Sequence, residues 1–425
     1  MATQCLEPPM SDEKIDSAME PISAEKFAAG FDDHILAHAR YLSKDEDGRR
    51  LTLKGLDLTG IILEGLELKR SVIVGCNLTQ AKGRGASFVD ADLFGSNFQS
   101  ADMMKADFRG ADLRGANFEL ADLSYASLRS TDLRPGRLAE WVGMDERSSN
   151  LYQANLNSAD FTGSDMTRAN LSTASAQKAK FADVEMFAAN LSGVNLKGAD
   201  LSSCSLNQVN MTGAVLEGAD MRGARLRDAN LRNVDLTTID LSSVDLRGAI
   251  HRGNQKPLPP EIEELLRLHS LWIASNGDTG QRADLSGREL RGQDFSSCDV
   301  RGVTFDQCDL EGASFVRSEL FLSTFRGAKL ADADFSFARL HGTDFSKAHL
   351  AGVRFLKARI EAAEIVGADG KKTGRTYPAS FRSSDLSGAH FTGAVIDGVD
   401  VTGGNLTPEQ RQQADVRKLI DLGAG

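Results

Sequence analysis

The chain has little of what usually carries chemistry: among 425 residues there are two Trp, four Tyr, seven His, nine Pro and five Cys. The cysteines form no CxxC pair, and the histidines do not gather with cysteines or carboxylates at ligand spacing, so no metal and no cofactor are expected. No serine nucleophile elbow, P-loop or dinucleotide fingerprint occurs, which leaves no candidate catalytic residue and argues against an enzyme. Long apolar runs are missing, and the opening MATQCLEPPMSDEK lacks the basic-then-apolar layout of a signal peptide. A cytoplasmic protein with no membrane segment is therefore expected. Acidic residues outnumber basic ones 60 to 49, a net charge of −11, which argues against direct binding to nucleic acid or an anionic membrane.

What the chain does have is a rhythm. Over most of its length every fifth residue is Leu, Phe, Met, Ile or Val, and two positions earlier sits Ala, Ser, Cys, Val or Thr. Leu93, Phe98, Met103, Phe108, Leu113, Phe118, Leu123 and Leu128 keep strict step. A helix repeats every ~3.6 residues and a strand every ~2, so a sustained period of five requires another regular backbone. If each unit forms one side of a square coil, the central residue i and the small residue at i−2 point inward, while i−1, i+1 and i+2 face water. Four units close one coil, and coils stack like sheet neighbours about 4.8 Å apart.

The units ADLFG, ADLRG, ANFEL, ANLNS, ADLSS and ANLRN match an A(D/N)LXX consensus, and the chain resembles the pentapeptide-repeat family over roughly three quarters of its length. The resemblance implies an all-β solenoid built as a right-handed quadrilateral β-helix. Finer patterns agree with such a coil. Phe88, Phe98, Phe108 and Phe118, and the series Phe295 to Phe355 at steps of ten, predict rings stacked on two opposite walls. Leu290, Leu310, Leu330 and Leu350 predict a column on another wall. Asn150, Asn170, Asn190, Asn210 and Asn230, each 20 residues apart at i−1, predict an amide ladder on an outer face. Cys76, Cys204, Cys298 and Cys308 fall on the small inward position and read as core.

The repeat is duplicated. Seventeen units run from Leu53 to Leu133 and 20 from Leu151 to Leu246; a second run has 17 from Leu285 to Ile365 and six from Phe381 to Leu406. Leu53 and Leu285, like Leu133 and Ile365, lie 232 residues apart, which places both interruptions at the same point. The segments ahead of the two runs also correspond, pairing His38 with His269, Tyr41 with Trp272 and Gly48 with Gly280. Each predicts a helix that covers an end of the apolar shaft, with both histidines as packing or hydrogen-bonding groups. Thr407, Pro408 and Gln410 carry the signature of a capped helix start.

The expected organisation is an unstructured arm over 1–30, a capped tower over 31–250 with a loop at 134–150, and a linker and second helical cap over 251–284. A second tower over 285–406 with a loop at 366–380 and a C-terminal helix over 407–425 follow. The fold class is thus an all-β solenoid of two tandem right-handed quadrilateral β-helices, each with an N-terminal α-helical cap, plus a C-terminal helix through which a homodimer could form.

Columns such as Asp92, Asp112 and Asp132 could suggest paired carboxylates, but Asp belongs to the consensus and bonds nearby backbone in a turn. The candidate partner-binding residues instead lie where the rhythm breaks: Arg134, Arg137, Trp141 and Met144 in the first loop, and Lys371, Lys372, Arg375 and Tyr377 in the second. Loops on rigid scaffolds commonly carry function, and Trp, Arg and Tyr are enriched at interface hot spots. The functional expectation is a non-catalytic scaffold presenting β faces and two loops to a protein partner. The alternative follows the Qnr-like branch of the family, whose members bind DNA gyrase or topoisomerase IV by imitating DNA. Charge density disfavours it. Duplex DNA carries one charge per ~1.7 Å. The coils from Leu53 to Ile250, leaving out the loop at 134–150, have 18 basic and 22 acidic residues, a net of −4 along about 50 Å. The second, from Leu285 to Ile365, has 11 basic and 12 acidic.

Overall fold

The computed structural model describes residues 30–137, 146–252, 258–366 and 371–421; the arm expected over 1–30 lies outside them except for Gly30. The chain forms a β-solenoid with a register of 20 residues, and its longer bridged segments among the described residues begin with β1 (Thr52–Lys54), β2 (Val72–Val74) and β3 (Arg359–Glu361) and include β6 (Ala379–Ser380). Asp57 bridges Asn77 in parallel, Asn77 bridges Asn97, and the series continues through Asn210 and Asn230; Asp284 likewise bridges Thr304, and Thr304 bridges Thr324. Each side of a coil makes two bonds to its neighbour: Leu58 N–H donates to the Asn77 carbonyl at 2.7 Å, and Asn77 N–H to the Leu56 carbonyl at 2.8 Å.

The five-residue unit turns its corner through a bond from i+3 to i, as from Ile61 N–H to the Leu58 carbonyl at 3.1 Å. The i+2 residue has positive φ, +71° at Gly60, the requirement of a type II turn. Glycine meets it without steric cost. Leu120, Tyr125 and Phe337 adopt it too, at φ +59°, +60° and +62°, although they are bulky and exposed.

Buried residues form two separate clusters, one from Leu51 to Ile239 and one from Leu258 to Leu406. In the second, Phe295, Phe315, Phe335, Phe355 and Phe391 stack on one wall at 4.8 to 5.5 Å. Phe305, Phe325, Phe345 and Phe381 stack on the opposite one, with edge-to-face contacts across the shaft. The expected walls of rings and the Leu290–Leu350 column are both present. Small polar residues at i−2 are buried and most find a backbone acceptor: Ser96 donates to the Ile73 carbonyl at 2.7 Å and Cys204 to that of Phe181 at 2.6 Å, while the Ser71 hydroxyl has no partner among the described residues. Burial pushes the Cys204 and Cys298 thiols up to about 12 and Cys308 up to about 11, so these cysteines stay protonated core residues.

Among the described residues three helices accompany the coils: α1 (Phe31–Leu42), α2 (Pro260–Ala274) and α3 (Pro408–Gln413). The first two are matched in detail. His38 Nδ1 accepts from Leu51 N–H at 3.0 Å and His269 Nδ1 from Ala283 N–H at 3.2 Å, each bond tying its helix to the first coil that follows. His38 stacks on Tyr41 and His269 on Trp272, with centroids 5.7 and 5.6 Å apart. Gly48 and Gly280 correspond because a Cβ at either would strike helix backbone, that of Tyr41 or of Leu268 and Trp272.

Several expectations need correction. The interruptions are not at equivalent points. In the first tower Asp112 still bridges Asp132, and the insertion falls between 132 and 150, where Asn117 bridges Asn150; in the second it falls between Arg359 and Ser380, which bridge Arg339 and Asp344. Adding 232 to 132 gives 364, so the second insertion begins one unit earlier. Ile365 is consequently not a core position but belongs to a hairpin, half-buried. The segment over 366–380 is no irregular loop: β4 (Ala363–Val366) pairs antiparallel with β5 (Lys372–Tyr377). The helix expected over 407–425 is only the six residues of α3, followed by β8 (Asp415–Ile420), which pairs parallel with β7 (Val395–Asp400). The capping box at Thr407 and Gln410 forms as expected. Gln410 then turns into the coil end and donates to the Leu386 and Ala389 carbonyls at 2.7 and 3.1 Å. Leu406 is buried there, so among the described residues no long helix follows it on which two chains could pair, and the coil end after Leu406 is covered.

Three outcomes are expected. Phe315→Ala, which removes a ring stacked on both sides, should cost about 3–5 kcal/mol in chemical denaturation. Tyr125→Gly should raise stability by up to about 1 kcal/mol by relieving a left-handed backbone. Burial holds His38 and His269 below the ordinary imidazole value of 6.5, and both accept a bond that protonation would break. A folded-state value below the unfolded one gives stability that is present above pH ~6.5 and lost as pH falls further. Denaturation midpoints should therefore drop between pH ~7.5 and pH ~5, with a smaller drop in a His38→Gln/His269→Gln variant.

Candidate functional site

The outer walls are built from side chains that first serve the coil. At i−1, the carboxylate of Asp92 accepts from Phe94 N–H at 3.2 Å, that of Asp112 from Arg114 N–H at 3.1 Å and that of Asp200 from Ser202 N–H at 3.0 Å. An Arg two residues on then often closes an ion pair, as Arg109 with Asp107 at 2.6 Å, Arg114 with Asp112 at 2.6 Å and Arg222 with Asp220 at 2.6 Å. The acid columns are thus consumed by turn geometry and local neutralisation. Among the described residues there is no group of three or more His, Cys, Asp or Glu arranged to hold a metal ion. No helix among them is long and apolar enough to cross a membrane.

The candidate residues fall in different settings. Arg134 lies on the wall: its guanidinium bonds Asp132 at 2.7 Å and approaches Asp165 at 3.6 Å. Burial pushes the Asp132 carboxyl up, but the bonds from Arg134 outweigh it and hold the group below its ordinary value. Arg137 is exposed just beyond an antiparallel rung in which Gly136 and Arg147 exchange bonds at 2.8 and 2.9 Å. That rung sets the base of the loop, and Gly136 is required because a Cβ would enter the Phe94 ring. Trp141 and Met144 lie outside the described residues.

The second set is held together by the β4–β5 hairpin. Lys372 pairs with Glu364 across it at 2.7 Å, and Thr373 Oγ1 donates to the Ile365 carbonyl at 2.6 Å. All six residues of β5 are exposed, including Arg375 and Tyr377, and Lys371 immediately before it is exposed too. Val366 is 52% and Tyr377 44% accessible. Among the described strands β5 pairs only with β4, which leaves its outer edge open.

Sequence reasoning missed what the asparagine wall faces. The ladder is longer than expected: Nδ2 donates to the preceding Oδ1 from Asn230 down to Asn97, at 2.9 to 3.3 Å, and Asn77 donates to Asp57 at 3.0 Å. The first insertion leaves it unbroken, since Asn150 bonds Asn117 as if no residues intervened. Beside this ladder lies α2. Tyr152 Oη donates to the Ser275 carbonyl at 3.2 Å, Asn233 Nδ2 to Ser270 Oγ at 3.0 Å and to the Asp299 carbonyl at 2.7 Å, and Asp299 N–H returns a bond to Asn233 Oδ1 at 3.0 Å. Arg232 is buried and pairs with Glu319 at 3.2 Å. The coils after α2 are therefore docked against the side of those before it. The partial signal was glycine at 193 and 213, where a Cβ would strike Leu271 and Ser270, but glycine at i+2 is common in the repeat for its own reasons.

The pentapeptide-repeat model matches residues 61–99, 101–134, 148–186, 189–228, 219–250 and 379–407, and a pentapeptide repeat region matches 288–365. Among curated proteins none matches the chain in sequence. Among solved structures, HetL from the cyanobacterium Nostoc, a pentapeptide repeat protein involved in regulating heterocyst differentiation, is 21% identical, covering 83% of this chain and 99% of its own, with a TM-score of 0.22. A pentapeptide repeat protein of the Arabidopsis thaliana thylakoid lumen is 29% identical over 30% of this chain and 74% of its own, with a TM-score of 0.23. QnrB1, a plasmid-mediated fluoroquinolone resistance protein, is 18% identical over 51% of this chain and 95% of its own, with a TM-score of 0.22. With its 20-residue coils, inward Phe and Leu columns and matched repeats along most of its length, the chain belongs to the pentapeptide-repeat family.

Proposed function

We propose that this protein is a non-catalytic scaffold, built as two tandem right-handed quadrilateral towers with helical caps, that presents β faces and two projecting segments to a protein partner. The observation that carries the reading is β5. It stands off the coils with six exposed residues, an open strand edge and the side chains of Lys372, Arg375 and Tyr377, the features by which an extended segment of another chain can be added to a sheet. The 134–150 loop, with Arg137 at its exposed base and Trp141 within it, is the second contact in this reading.

The DNA-mimic alternative, a topoisomerase-binding protein that protects against quinolone-like inhibitors, calls for a dense run of unpaired acid. The ion pairs of Asp107, Asp112, Asp132 and Asp220 with neighbouring Arg residues set a cation directly against these carboxylates, so the acid is not presented as an unpaired run.

Replacing residues 364–376 by a short Gly-Ser turn should leave the melting temperature within a few degrees of the parent, because the coils bridge across the insertion without it. The same replacement should abolish in-cell cross-linking to the partner, as should Arg137→Ala/Trp141→Ala. Identical cross-linking profiles for parent and both variants would sink the assignment. A supercoiling assay with purified gyrase should show neither inhibition nor relief of quinolone action at about micromolar protein; either effect would favour mimicry instead.

A further inference from the structure

Between the asparagine wall and α2 runs a trough of about 600 Å³, within the size range of small-ligand sites. We propose that it binds a short glycan of neutral or amino sugars. The inference is independent of the hairpin reading.

Its floor has an unusual hydrogen-bonding pattern. Asn170 Oδ1 is saturated: it accepts from Ser172 N–H at 3.1 Å, Ser172 Oγ at 2.7 Å and Asn190 Nδ2 at 3.2 Å. Asn190 repeats the arrangement with Ser192 and Asn210, and Asn210 with Thr212 and Asn230. A primary amide has two N–H groups. One is spent on the ladder, and at Asn170, Asn190 and Asn210, which line the trough, the other has no side-chain or backbone partner among the described residues. Each Ser or Thr hydroxyl has given its hydrogen to its own Asn, so its remaining lone pairs make it an acceptor only. The floor therefore repeats one donor and one acceptor per coil, at about 4.8 Å.

That repeat selects a ligand class. An extended peptide lying along the axis presents the same edge only every ~6.7 Å and falls out of step. A ring in an extended glycan advances its chain by a distance comparable to the coil spacing, and although successive rings are flipped, both edges of each ring carry hydroxyls that donate and accept, so the hydrogen-bonding repeat stays one per ring. The flank supplies apolar surface from Ile273 and Ala274, and Tyr152 adds an aromatic ring at one end, suited to the C–H face of a sugar. The charges point the same way. Glu119 and Asp278 lie at the Tyr152 end, while Arg301 at the other is neutralised by Asp299 at 2.7 Å. A phosphate backbone or a polyuronate would be repelled, and an amine tolerated or favoured.

The test is calorimetric titration of the full chain with chitotriose, cellotriose and a trimannuronate. Either neutral trimer should saturate with a Kd at or below about 1 mM. Ile273→Trp, which fills the trough without touching the ladder, should weaken that binding at least tenfold (about 1.4 kcal/mol). Ser192→Ala/Thr212→Ala, which removes two acceptors and leaves every amide bond of the ladder, should weaken it several-fold in a protein that stays folded, with a melting temperature lowered only by the loss of the two hydroxyl bonds to Asn190 and Asn210, and decides the matter if the tryptophan variant misfolds. The proposal is overturned if neither neutral trimer saturates, which would make the trough a hydrated packing gap. Binding that is indifferent to these substitutions, or a trimannuronate that binds as tightly as the neutral trimers, would overturn it equally.

Discussion

Along the regular coils each side is fixed by two backbone bonds to the next, from the central residue outward and from the i−1 residue back, as at Leu58 and Asn77, whereas the bridges lapse at Asp235 and Asp240. Because both bonds must form on all four sides, the coil length is held at 20 residues, and a one-residue slip would turn inward positions to water. The shaft inside is narrow, so each side contributes one large and one small residue. The Phe columns at 4.8 to 5.5 Å follow from this, because rings one coil apart can stack only at the coil spacing. The same constraint explains why both insertions leave the ladder intact. Extra residues are tolerated only if they leave the wall and return to it in register, as Asn117 with Asn150 and Asp344 with Ser380 demonstrate.

The outer face obeys a second, weaker constraint. Turns need an acceptor for the i+1 N–H, and Asp or Asn at i−1 supplies it. Once a column of such residues exists, its side chains either pair with Arg, as at Asp107 and Asp220, or link to one another, as the amides do. Chemistry that looks functional in a linear reading, columns of carboxylates above all, is thereby absorbed into the architecture. What is not absorbed stands out: the open edge of β5, and the second N–H of each amide beneath α2.

The periodic part of the fold was legible because period, size alternation and consensus all describe one local geometry. The positions of the Phe walls, the Asn ladder and the inward cysteines follow from counting in fives, and those of His38 and His269 from the likeness of the two segments ahead of the repeat runs. Where the period stops, counting fails. Ile365 is spaced like a core residue, yet the chain has already left the wall at Glu361, and nothing local distinguishes a coil side from the first strand of a hairpin. The C-terminal helix was overextended for the same reason: the capping box at Thr407 marks a start, and the stop at Gln413 is set by β8 pairing with β7, a contact distant in sequence from the cap.

By itself, then, the sequence determined the coil and its inward columns, since each depends on neighbours within one unit or one coil. Tertiary structure alone decided that α2 would serve two masters, closing the shaft ahead of Leu285 while lying against the asparagine wall through Ser270, Ser275 and the glycines at 193 and 213. That docking depends on the buried Arg232–Glu319 pair and the Asn233–Asp299 exchange, contacts between residues 87 and 66 positions apart, with no periodic signature. It turns a plain amide ladder into the floor of a trough.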